Sequence, residues 1–207
     1  MIIQYFGHSC FTLESQGYRI AVDPYRDYVP GYDKLELEAN EVYCSHGHDD
    51  HCWVQAVALR CGGGPSPFTV TEIAGFHDDA RGAKRGLNTM RVFEAEGLRV
   101  AHLGDIGCLP PAEDLEKLKG LDACLVPVGG FYTIDAAQAK ELMDLLQPRI
   151  VVPMHYRLGS YGFAEIGELS AFTRQYEDVR EMPGNALELA ADTPAGVCVL
   201  QYAGGRD

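Results

Sequence analysis

The stretch YCSHGHDDHCW, residues 43–53, sets three of the chain's seven histidines and two aspartates in the six positions from His46 to His51. Imidazole nitrogen and carboxylate oxygen are donors that zinc accepts, and a catalytic zinc site keeps one position open for water. His46 and His48, one residue apart, can point the same way from an extended segment or a tight turn. Asp50 and His51 follow at what reads as a helix start, where they can face a second ion. The plainer account is a solvated loop that happens to be rich in histidine, and the rest of the chain decides between the two.

Other chemistry-bearing residues keep to one kind of position. YRIAV ends at Asp23, EVYCS at His46 and FTVTEIAGF at His77; LRVAHLG ends at Asp105, DACLVPV at Gly129-Gly130 and RIVVPM at His155. Ligand sites in α/β proteins gather beyond the carboxyl ends of strands, where loops meet on a rigid frame. Scattered core histidines would show no such preference, so the pattern favours a metal site. His102 lies inside an apolar run and reads as a buried structural histidine, the rival of His77. His8, in GHS after the first run, is expected to face the site or support it. Asp23, before Pro24, is expected to orient cluster imidazoles, because metal-bound histidines usually donate their other N–H to an oxygen; a purely structural turn aspartate is the alternative.

Substrate contacts are less sharply marked. Arg81, Lys84, Arg85 and Asn88 in HDDARGAKRGLN can meet an anionic substrate, Arg by forking onto phosphate or carboxylate, or simply furnish a surface loop. Gly129-Gly130 and Tyr132 offer a pocket wall or an ordinary strand-to-helix turn. Tyr156 and Arg157 are candidates for the rim.

The elements that must position these groups alternate in type. IIQYF (2–6), CFTLES (10–15) and YRIAV (18–22) read as an antiparallel meander, followed by a Pro- and Tyr-rich loop and the strand EVYCS. Residues 49–60 have helical spacing, and CGGGPSP (61–67) breaks the chain. Strands are expected at 68–75, 89–96, 98–104, 122–130 and 149–156, and late short ones at 186–190 and 197–202. Helices are expected at 111–120, at 133–148 with Thr133 or Asp135 as cap and Pro148 as stop, and around 165–176. The expectation is one domain over residues 1–207, α and β mixed.

Composition narrows the partners. A formal net charge of −13 argues against nucleic acid, whose phosphates need a basic surface, but admits a small anionic substrate beside a metal. No apolar run is long enough for a membrane span, and MIIQYFGHSC reads as a strand rather than a signal peptide. Cytoplasm is the expected compartment, and self-association is compatible with the reading. Seven cysteines, Cys10, Cys44, Cys52, Cys61, Cys108, Cys124 and Cys198, are odd in number and lack a Cys-x-x-Cys pair. They are expected to be mostly buried thiols in a reducing compartment.

His46-x-His48-x-Asp50-His51, with His77, HLGD ending at Asp105 and PMHY containing His155 in that order, resembles the metallo-β-lactamase-fold hydrolases. Asp23-Pro24, GHSCF and PVGG bring it nearest to the branch with ascorbate-6-phosphate lactonase and bacterial Zn-dependent hydrolases. The resemblance implies a four-layered αββα sandwich, α/β in class. It implies one ion held by His46, His48 and His77, another by Asp50, His51 and His155, and Asp105 as bridge. Two divalent ions, zinc first and manganese or iron as alternatives, would then supply a metal-bound hydroxide for a small ester, lactone or phosphodiester. Asp105 would orient the nucleophile, and Asp50 or His8 would handle the leaving-group proton. A mononuclear iron oxygenase-like enzyme, or a non-catalytic metal-binding protein of the same fold, is the competing reading. Asp105 and the missing export signal depart from enzymes that destroy β-lactams, and His48 departs from the oxygen-reducing di-iron relatives.

Overall fold

A computed structural model describes residues 1–62 and 64–204. Strands β1 (Ile2–Tyr5), β2 (Phe11–Ser15) and β3 (Tyr18–Val22) form the expected antiparallel meander. β4 (Leu37–Ala39), β5 (Glu41–Tyr43) and β6 (Val57–Leu59) follow. The Gly- and Pro-rich break comes after β6, with Gly63 outside the described residues. The second half runs β7 (Thr69–Phe76), β8 (Leu87–Ala95), β9 (Leu98–His102), α1 (Ala112–Lys117), β10 (Ala123–Pro127), α2 (Ala136–Leu146) and β11 (Ile150–Met154). It closes with α3 (Leu169–Thr173), β12 (Val179–Glu181), β13 (Ala186–Glu188) and β14 (Gly196–Val199).

Side-chain alternation builds the layers, since successive residues of a strand face opposite ways. One sheet has the order β13-β1-β2-β3-β5, the other β12-β14-β11-β10-β9-β8-β7. Ile3, Phe11, Leu13 and Ile20 of the first sheet meet Phe93, Val100, Leu125 and Val152 of the second in a common core. The next residues along the second sheet, Val92, Ala101, Cys124 and Val151, face outward and are covered by Leu118 after α1, Leu142 and Leu146 of α2, and Phe172 of α3. Each fully buried Leu, Ile or Phe contributes about 1.5–3 kcal/mol. Over the first sheet, Ala21 packs beneath Tyr25, Val29, Tyr32, Leu37 and Val57, so that outer layer is a Tyr-rich loop and the β4–β6 pair.

Strand direction delivers the site. β1 and β3 both run antiparallel to β2, and β5 runs parallel to β3, so these three share one direction. In the second sheet β9, β10 and β11 are parallel, and β7, two antiparallel steps from β9, runs with them. Every residue singled out beyond a strand end therefore lies past the carboxyl end of a strand that points to the rim of its sheet.

Some elements differ from expectation. Residues 49–60 form no α-helix: Val54–Ala56 is one 3-10 turn, and β6 pairs in parallel with β4. Trp53 N donates to Pro24 O and Arg60 N to Ala39 O, so distant partners take the donors a helix would have used. The alternating LELEA, whose last three residues form β4, was the sign of a strand partner. The helix expected at 165–176 contracts to α3, and the edge strand β12 was not foreseen. α2 does form, capped by Asp135, whose carboxylate accepts from Ala137 N and Gln138 N.

Candidate metal centre

The two sets of residues that the resemblance implies come together, and His8 joins the second. Donor atoms of His46, His48 and His77 lie within 4.8 Å of one another, as do those of His8, Asp50, His51 and His155. Asp105 stands between them: its Oδ2 is 3.4 Å from His77 Nε2 and 3.2 Å from both His51 Nε2 and His155 Nε2. Asp50 Oδ2 is 3.5 Å from His8 Nε2 and 3.8 Å from His51 Nε2.

The other face of each ring shows why these nitrogens point inward. Buried Asp23 accepts from Ser45 N at 2.6 Å through Oδ1, and through Oδ2 from the Ser45 hydroxyl at 2.6 Å and His51 Nδ1 at 2.8 Å. With its proton committed to Asp23, the Ser45 oxygen accepts from His46 Nδ1 at 3.0 Å. His77 Nδ1 donates to the Tyr132 carbonyl at 3.1 Å. Three rings are thus fixed through Nδ1, leaving Nε2 to face the centre. His46 Nε2, His51 Nε2 and Asp105 Oδ1 are buried without an aligned hydrogen bond. Buried polar atoms normally have partners, and nitrogen and oxygen donors so arranged fit divalent ions.

Backbone strain accompanies this placement. Asp23, His8 and His155 take left-handed φ values of 50°, 53° and 53°, a conformation that costs a non-glycine residue about 1–3 kcal/mol. His155 N donates to His8 O at 3.0 Å, tying the two strained turns together. Gly104 enters the Asp105 turn at φ +56°, where a Cβ would overlap Asn88 Oδ1 and Ser45 Cβ.

Electrostatics leave His46, His8 and His77 ready to donate a lone pair. Burial, with His51 nearby, pushes His46 down to about 3, and burial with His155 nearby pushes His8 down to about 4. Burial lowers His77 as well. His51 goes the other way: burial opposes its charge, but Asp105 and Asp23 raise it well above the ordinary imidazole value. Against burial, His155 and His51 hold Asp105 well below the carboxylate range. A metal at His51 must therefore displace a proton, which ties binding to pH.

A cavity of about 330 Å³ opens on the centre, lined by Tyr28, His48, Asp50, His77, Arg85, Asp105, Tyr132 and Phe163. Larger grooves lie elsewhere on the surface, one of about 550 Å³ around Leu35, Leu37 and Trp53, but they lack this cluster. His102 stays in β9, with Nε2 donating to Ser9 O at 2.9 Å and Nδ1 accepting from Gly104 N at 3.1 Å, so both ring nitrogens are occupied. Asn88 is no substrate contact: buried, it accepts from Asp105 N and donates to Leu103 O. Arg157 pairs with Glu168 and Tyr156 is buried against the α-helical layer, so neither reaches the cavity. Gly129 carries the strand-to-helix turn, its carbonyl accepting from Gly167 N. Ser45, Tyr28 and Phe163 escaped the sequence reading; Ser45 alone had a signal, its place just before His46.

The expectation of free thiols fails at Cys44 and Cys52, which form a disulfide with Cα atoms 5.2 Å apart. Their separation of eight residues matches no thiol motif, and the turn of the cluster itself brings them together. This pair therefore gives no support to a reducing compartment. Closing so short a loop removes roughly 2–3 kcal/mol of disorder from the open chain. Cys52→Ser is expected to weaken metal retention about tenfold or more, read by competition with a chromophoric chelator. Unchanged retention would show that Asp23 and Ser45 order the loop unaided.

A two-sheet sandwich with this His/Asp cluster on its rim is the metallo-β-lactamase fold, and a family described as beta-lactamase superfamily domain matches residues 2–155. The chain belongs to that superfamily and, within it, to the UPF0173 metal-dependent hydrolase family. A UPF0173 protein of Pyrococcus furiosus is 30% identical over 190 residues, covering 80% of this chain and 87% of that protein. A UPF0173 metal-dependent hydrolase of Opitutus terrae is 28% identical, covering 75% and 85%. The crystal structure of a candidate Zn-dependent hydrolase of the metallo-β-lactamase superfamily from Thermotoga maritima superposes with a TM-score of 0.74. It is 33% identical, over 96% of this chain and 97% of that one. Among the described residues no helix is long and apolar enough to cross a membrane.

Proposed function

We propose that this chain hydrolyses a small ester, lactone or phosphodiester with two divalent ions, zinc being the best match to its donors. The observation that carries this reading is the place of Asp105 Oδ2, within 3.4 Å of His77 on one side and 3.2 Å of His51 and His155 on the other. His46, His48 and His77 would hold one ion, Asp50, His51 and His155 the second, and Asp105 both. Once bound, such ions bring the pKa of water towards neutrality and polarise the scissile oxygen.

The chain's own groups do the rest. Asp105 accepts a hydrogen bond from the attacking water and fixes its approach. Asp50 lines the cavity with His8 behind it. Against burial, His8 and His51 hold its carboxyl below the usual carboxylate range, so it is the carboxylate positioned to take the proton that the attacking water gives up and hand it to the leaving group. His8 is buried and outside the cavity lining, so it works through Asp50 as a positioning residue. Tyr28 is pushed up to about 12 by burial and by Asp50, so it keeps its proton and can donate to a substrate oxygen. The excess of acidic groups over the whole chain favours a small substrate over a nucleic acid.

Metal counting tests the reading. Wild-type protein loaded with zinc and desalted should hold two equivalents by elemental analysis. His77→Ala should lose about one, whereas His102→Ala should keep both and melt earlier. A wild type that saturates at one equivalent, or a His77→Ala protein that keeps two, defeats the two-ion assignment. A single iron with oxygen consumption would return the oxygenase reading.

A further inference from the structure

The cavity over the centre contains one lysine or arginine among its described lining residues, Arg85. We propose that Arg85 anchors an anionic group of the substrate, a carboxylate or a phosphate, while the scissile bond lies over the His/Asp cluster. The proposal rests on the hydrolase reading and adds the substrate class: a small molecule with a negative charge set apart from the bond that is cut.

The loop between β7 and β8 is built to hold this cation in place. Asp78, next to His77, accepts four backbone hydrogen bonds: Oδ1 from Ala80 N and Gly82 N, Oδ2 from Lys84 N and Arg85 N, at 2.8–2.9 Å. His77 N donates to Gly86 O at 3.1 Å, closing the hairpin so that His77 and Arg85 leave its two sides towards one cavity. The Arg85 guanidinium lies 5.4 Å from the Tyr132 ring centre and 6.0 Å from that of Phe131. Aromatic faces attract a guanidinium without using its N–H donors, which stay free to fork onto an anion.

Neighbouring cations do not compete for this role. Lys84 is exposed and paired with Asp79 at 2.5 Å, Arg157 is paired with Glu168, and Arg81 lies outside the cavity lining. No carboxylate among the described residues pairs with the Arg85 side chain, although the chain has 30 acidic residues against 17 lysines and arginines.

The test is direct binding, which needs no turnover. Succinate and phenyl phosphate are titrated by calorimetry into zinc-loaded wild type, Arg85→Gln and Arg85→Lys, with metal content matched and folding checked by thermal melt. Arg85→Gln should weaken at least one anion by roughly tenfold to a hundredfold, as expected for a charge-assisted hydrogen bond. Arg85→Lys should fall between, and the anion losing more identifies the group preferred. Equal affinities of all three proteins for both anions overturn the proposal. In parallel, 4-nitrophenyl hemisuccinate and its neutral analogue 4-nitrophenyl butyrate are assayed. Anion binding that depends on Arg85 without turnover of either ester would keep the anchor and strike simple esters from the proposed substrates.

Discussion

Asp105→Asn is expected to leave a folded protein whose hydrolytic rate falls by about three orders of magnitude. The amide matches the carboxylate in shape, and Asp105 N can still donate to Asn88 Oδ1, so the turn after β9 keeps its anchor. What disappears is the charge. Asp105 Oδ2 faces three imidazole nitrogens within 3.4 Å, and a neutral amide cannot offset the charge of the two ions proposed for that place. Losing several kcal/mol of charge stabilisation, at about 1.4 kcal/mol per tenfold, gives that scale. Part of the rate should return at higher pH or with excess metal, where hydroxide and occupancy recover. The check is a pH–rate profile of both proteins at saturating zinc, with the melt recorded alongside. Wild-type rates in a folded Asp105→Asn protein would remove Asp105 from the centre of the mechanism.

How far the site could be read from the chain depended on what fixes each residue. His46, His77, Asp105 and His155 were legible because strand direction alone carries them to the rim, and direction follows from alternation and connection length. His102 could be set apart from His77 for the same reason, since a position inside β9 faces the packed interior. Partners across the fold were not legible. Tyr28 and Phe163 enter the cavity from loops with no periodicity, and Ser45 acquires its role only when β3 and β5 pair and bring Asp23 alongside. The disulfide and the β4–β6 pair likewise overrode the helical spacing of residues 49–60, because both are contacts that local spacing does not encode. Asn88 shows the opposite case: polar and in the stretch after His77, it suggests an outward-facing residue, while its amide is enclosed by the Asp105 turn.

Removing Asp23 should damage stability and metal binding together, because one carboxylate holds both halves of the cluster. Asp23→Ala leaves Ser45 N, the Ser45 hydroxyl and His51 Nδ1 without their acceptor in an enclosed site. Breaking a buried pair in this way costs about 3–5 kcal/mol, and losing the group that orients a metal-binding imidazole weakens metal affinity by about tenfold to a hundredfold. Acid should narrow the stability gap. Burial raises the Asp23 carboxyl, but His102 and His51 outweigh it and hold it below its ordinary value of 3.8. A carboxyl lowered by folding adds stability that is complete above its unfolded value and vanishes as pH falls through the folded one. Urea melts of metal-free wild type and Asp23→Ala should therefore differ most at neutral pH and converge below about pH 4. Asp23→Asn separates charge from shape: it tolerates the left-handed backbone at this position and keeps one acceptor oxygen, so it should recover part of the stability and little of the affinity. An Asp23→Ala protein that melts like wild type and binds zinc as tightly would mean that Ser45 and His51 are held by the surrounding packing, and that Asp23 is only the turn residue before Pro24.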